Sequence, residues 1–80
     1  MEVKERVRSF LQRSVPNMPL QDDTDIFAAG WVNSLFAMQL VLFVENEFGV
    51  SVGDEDLDID NFRSVSAISS LIERKQAALA

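Results

Sequence analysis

The 80-residue chain contains no cysteine and no histidine. Without cysteine it can build neither a disulfide nor a thiolate site. Without histidine it lacks the usual general base and the commonest metal ligand. Between Arg13 and Arg63 there is no lysine or arginine. Nucleic acid is therefore a poor partner for the middle of the chain, because phosphate would be repelled. The longest uninterrupted apolar run, Leu40 to Val44, falls far short of a membrane span. The opening residues Met1-Glu2-Val3-Lys4-Glu5 are too charged for a signal peptide. A cytoplasmic monomer with no membrane or nucleic-acid partner is expected.

What is present suffices for one core. Apolar residues make up 48% of the chain, too many for a disordered tail. A chain this short forms a single domain, residues 1–80, and buries only about 60% of its unfolded surface. Its charge is segregated along the sequence. Asp22, Asp23, Asp25, Glu45, Glu47, Asp54, Glu55, Asp56, Asp58 and Asp60 all fall in the middle, and every basic residue lies at or beyond Arg13 and Arg63. A basic protein surface is the natural complement to such a middle, with salt-sensitive steering. A merely solubilising acidic surface explains the same composition.

Val3, Val7, Phe10 and Leu11 recur at helical spacing, so a first amphipathic helix is expected from Glu2 to about Arg13. Pro16 and Pro19 end it and open a long loop. In that loop Asp22-Asp23-Thr24-Asp25 is turn-like, and Ile26 and Phe27 are apolar enough to anchor it beneath the helices. Gly30 supplies a flexible turn before a central helix running to about Phe48, with Gly49 as its terminator. Val50 and Val52 read as an extended connector. Gly53 to Asn61 alternates acids with Leu57 and Ile59, as a loop or one short irregular helix does. A calcium loop opening at Asp54 would need glycine at Ile59 and glutamate at Val65, so calcium binding is not expected. Ser64 caps a last helix with the stripe Val65, Ile68, Leu71 and Ile72, and Arg74 and Lys75 complement its dipole. The expected fold is all-α: three main helices, one short helix and a long first loop.

At a hundred degrees per residue the central helix has two apolar faces. Ala37, Leu40, Val41, Val44 and Phe48 share one arc and form core. Leu35, Met38 and Leu42 share the opposite arc, beside Gln39, Glu45 and Asn46. So small a domain has little chain left to cover both, which makes the second face a docking surface. Phe36 and Phe43 lie on the flank between. At the start of the helix stands Ser34. Its hydroxyl is a ready helix cap, but Asn33 caps equally well and frees Ser34 for another role. Ser34 as nucleophile of a hydrolase is excluded, since there is no histidine base and no glycine-flanked elbow. Catalysis by this chain alone is not expected.

Asp25-Ile26-Phe27, Gly30-Trp31-Val32-Asn33-Ser34-Leu35, Phe48-Gly49-Val50 and Asn61-Phe62-Arg63-Ser64-Val65 together resemble the acyl carrier proteins, in order and across the whole chain. The resemblance implies a four-helix carrier fold in which Ser34, flanked by Asn33, carries covalent 4′-phosphopantetheine taken from coenzyme A by a phosphopantetheinyl transferase. It implies a partner surface of Leu35, Met38, Gln39, Leu42, Glu45, Val52, Asp54 and Glu55. Acyl-loading and modifying enzymes, acyltransferases and synthase modules are the implied partners. The family's usual aspartate before the serine is replaced by Asn33, which keeps hydrogen bonding and removes a charge beside the phosphodiester. The spacing Gly30-x-x-Asn33-Ser34 is one residue longer than in fatty-acid carriers. It is more like D-alanyl carriers and free-standing carriers of secondary metabolism. Asn33 to Val41 resembles, in particular, carriers of methoxymalonyl or hydroxymalonyl extender units for polyketide antibiotics. A carrier of D-alanyl or aminoacyl groups, or an unmodified acidic adaptor that binds a partner helix, are the competing readings.

Overall fold

Caps and apolar spacing dictate where the helices run. The computed structural model describes residues 3–14, 20–28, 30 and 33–79, with the backbone alone at Ser34 and Leu79. The elements are α1 (Val3–Ser14), α2 (Ser34–Phe48), a 3-10 turn (Asp54–Asp56), α3 (Ile59–Phe62) and α4 (Val65–Leu79). Every described residue is in helix, turn or irregular backbone. The expected helix-ending Pro16 and Pro19 lie outside the described residues, as do Trp31 and Val32.

α1 buries Val7 and Leu11 completely and packs Val3 and Phe10 against the same core, as the four-residue stripe requires. α4 contributes Val65, Ile68, Leu71 and Ile72, all buried, and packs against both α1 and α3. Its cap is Ser64, whose Oγ accepts the Ala67 amide at 3.1 Å. The long first loop is stitched down by backbone as well as by side chains. Ile26 is fully buried and its amide donates to the Arg63 carbonyl at 2.8 Å. The Ser66 amide donates to the Asp22 carbonyl at 2.9 Å. Asp25 Oδ1 accepts the amides of Phe27 and Ala28, and so fixes the turn that leads toward α2.

α2 sets Leu40 and Val44 fully into the core, with Val41 and Phe48 packed on its edge. The flank that the sequence leaves unplaced meets α1. Phe10 stacks on Phe43 at 4.2 Å between centroids and on Phe36 at 6.0 Å. Gly49 ends α2 with φ +66° and donates to the Glu45 carbonyl, a left-handed backbone that any side chain would strain.

Two expectations need correction. The segment Gly53 to Asn61 is neither one loop nor one helix but a 3-10 turn and a four-residue α3, capped by Asp58. Leu57 lies between the two pieces. Arg74 and Lys75 do not serve the dipole of α4, since the helix continues to Leu79. Arg74 instead donates to Asn61 Oδ1 at 3.2 Å, and Lys75 pairs with Asp56.

Charge segregated along the chain is also not segregated in space. Asp22 pairs with Lys4 and Arg8, Asp25 and Asp60 with Arg63, Glu47 with Arg6, and Asp56 with Lys75. Half of the acidic middle is thus neutralised by the basic residues of the two ends. Exposed pairs of this kind contribute little each. The Asp56 carboxylate has the most support. The Lys75 ammonium holds it below the usual carboxylate range, helped by the Gly53 amide at 3.1 Å.

A carboxyl whose pKa is lower in the folded than in the unfolded chain stabilises the fold above the unfolded value. It loses that contribution as pH falls through the folded value. Wild type should therefore exceed Asp56→Asn in stability at neutral pH. The gap should begin to narrow below about pH 4, where the unfolded carboxyl takes up its proton first, and should close once pH falls below the folded value. Urea melts of both proteins at the two pH values check this. A gap of equal size at both would show that Lys75 does not favour the charged carboxylate.

Candidate functional site

The first turn of α2 is built so that Asn33 does the capping. Its backbone is extended, at φ −111° and ψ −178°, and its Oδ1 accepts the Phe36 amide at 2.9 Å. Its carbonyl takes the Ala37 amide at 2.9 Å. Of the two capping candidates in the sequence, Asn33 holds the position and Ser34 is the first residue of the helix. Cap duty at the Phe36 amide therefore does not fall on Ser34. A group attached at this residue stands at the positive end of a fifteen-residue helix, with no acidic side chain in its first turn.

Next to Asn33 opens a cleft of about 490 Å³. Phe27, Ala37, Met38, Val41 and Phe62 line it, with Leu57 and Ile59 on the α3 side. Asn33 and Asp58 are the polar lining residues. Sequence reasoning missed this cleft and did not single out Asp58. The signal was there in weak form: Leu57 and Ile59 alternate with acids in a stretch too short to bury them, and both are half exposed. A wall formed by one side of α2 and the segment after the 3-10 turn cannot be read from either stretch alone.

Leu35, Met38 and Leu42, expected to form a docking face, are 69%, 59% and 54% exposed, and Gln39 is exposed beside them. Since Leu40 and Val44 are wholly buried, the helix is rotated as its two-faced pattern requires. Asp54 and Glu55 are exposed on the 3-10 turn and take part in no ion pair among the described residues. Glu45 and Val52 have a further duty. Glu45 Oε2 accepts the Val52 amide at 2.8 Å, tying the connector back to α2. Reversing the charge at Glu45 would therefore disturb the fold as well as the surface.

No cluster suited to a metal occurs among the described residues. A serine at a helix start, an apolar cleft and an exposed apolar stripe suit the holding of a flexible attached group.

The comparisons with known proteins agree. Residues 2–72 match the family described as phosphopantetheine attachment site. An aminoacyl carrier protein from Agrobacterium fabrum (strain C58 / ATCC 33970) is 30% identical over 80 residues, covering 95% of each chain. The chain belongs to the phosphopantetheine attachment site family: it is a carrier protein, without catalytic activity of its own.

Proposed function

We propose that Ser34 is the residue that carries the 4′-phosphopantetheine arm, through a phosphoester on its Oγ. The observation that carries this reading is the division of labour at the start of α2, where Asn33 accepts the Phe36 amide and Ser34 follows as the first helical residue. The chain has no thiol of its own, so a thioester requires the arm. The arm's thiol presents one bound group to several enzymes in turn, with the tether raising its effective concentration at each. Leu35, Met38 and Leu42 then form the surface that those enzymes cover, and Asp54 and Glu55 offer charge to basic residues on them. Contacts of this weak and salt-sensitive kind suit a carrier that must leave after each step.

The cargo has two readings. The run from Asn33 to Val41 favours an extender unit of the malonyl type, made for polyketide assembly. The likeness to an aminoacyl carrier protein favours an amino acid. The experiment that tests the carrier reading is intact mass after co-expression with a broad phosphopantetheinyl transferase. Gain of one phosphopantetheine supports it. No gain, while a control carrier is modified in the same cells, would favour an unmodified acidic adaptor. The mass of the species loaded by the native enzymes then separates the two cargoes.

A further inference from the structure

The cleft beside Asn33 is apolar except at two points, and neither carries positive charge. One is Asn33, whose Oδ1 already accepts the Phe36 amide. The other is Asp58, exposed at the rim. Asp58 is held in place as the cap of α3, where its Oδ1 accepts the Asp60 amide at 2.9 Å. Cations do lie near α3, but each is turned elsewhere. Arg63 pairs with Asp25 at 3.7 Å and Asp60 at 3.3 Å, Arg74 donates to Asn61, and Lys75 pairs with Asp56. No lysine or arginine lines the cleft among the described residues.

The geometry points to Asp58 as a specificity residue that reads the charge of the carried group, admitting an α-ammonium to the cleft and turning away a carboxylate. This rests on Ser34 as the attachment point, from which the arm can fold back over Asn33. A small aminoacyl group then puts its side chain among Val41, Ile59 and Phe62, and its ammonium toward Asp58. A malonyl-type unit brings a second carboxylate to the same rim with no cation to receive it. That unit stays in solvent, where enzymes reach it at once. The cleft therefore favours the aminoacyl reading of the cargo.

The test uses the full chain, modified by a phosphopantetheinyl transferase with coenzyme A analogues whose ends are stable amides of alanine, propionate or malonate. Intact mass first reports attachment. Backbone amide shifts of Val41, Asp58, Ile59 and Phe62 then report occupancy of the cleft, at about pH 6.5, where an α-amino group is protonated. The alanyl form should occupy the cleft about two- to fivefold more than the malonyl form, the size expected of one exposed charge contact. The propionyl form should fall between them. Asp58→Asn keeps a good helix cap and should erase most of the difference, while Asp58→Lys should reverse it. Equal shifts from alanyl and malonyl forms, or a difference that survives Asp58→Asn, would overturn the assignment. Absence of any mass gain would overturn attachment at Ser34 itself, and the charge rule with it.

Discussion

Leu40→Ala should destabilise the domain by about 2–5 kcal/mol, because it removes a fully buried side chain at the centre of the bundle and leaves a cavity. Leu40 lies in one core with Val7 and Leu11 of α1, Ile26 of the long loop, and Ile68 and Leu71 of α4. An 80-residue domain has little stability in reserve, so the loss takes up a large share of it. For a domain of this size each 1 kcal/mol corresponds to about 4–8 °C, which puts the expected drop in Tm at about 10 °C or more. Val44→Ala should act in the same direction with a smaller effect. Phe48→Ala should cost less than its size suggests, since Phe48 is only partly buried, with Arg6 at 4.8 Å from its ring centroid and Phe43 on its edge. Thermal melts of the three variants check the order. Unchanged melting in Leu40→Ala would mean that α2 faces the other way.

The opposite face of the same helix should behave in the opposite sense. Leu42→Glu should leave Tm nearly unchanged, since an exposed side chain loses little burial. On the proposed docking face the same change replaces an apolar anchor with a charge, and should lower kcat/KM for phosphopantetheinyl transfer by about tenfold or more. Leu42→Ala should lower it by about fivefold, corresponding to about 1 kcal/mol. Met38→Glu should weaken transfer similarly. Met38 also lines the cleft, however, so its substitution touches both the proposed docking face and the cleft. Leu42 is the cleaner probe for that reason. Should melting collapse while the folded fraction is modified at the normal rate, the face belongs to the core and docking happens elsewhere.

The two faces of α2 were legible in sequence because they depend on one helix alone. A hundred degrees per residue separates Leu40 and Val44 from Met38 and Leu42 without knowledge of the neighbours. The flank was not legible. Phe36 and Phe43 find their place only through Phe10, which arrives from another helix. Charge misled for the same reason: Arg8 in the middle of α1 pairs with Asp22 of the long loop, and Lys75 crosses back to Asp56. The 3-10 turn and α3 together span less than a helix's usual length, so no periodicity could show where one stopped and the other began. The reading of Ser34 as the attachment residue rests on a different footing. Its hydroxyl has no local physical signature beyond that of a helix cap, and the motif resemblance around it supplied the rest. What the structure adds is the assignment of the cap to Asn33 and the cleft beside it.

The central claim is that one serine among several carries the arm. Ser51, on the connector after α2, is an exposed control. Wild type, Ser34→Ala and Ser51→Ala should be incubated with coenzyme A and a phosphopantetheinyl transferase, weighed intact, then digested and fragmented. The account predicts one added phosphopantetheine in wild type and in Ser51→Ala, located on Ser34 in the fragments. It predicts no addition in a folded Ser34→Ala. An arm that still attaches to Ser34→Ala, or that maps to another serine in wild type, would contradict it.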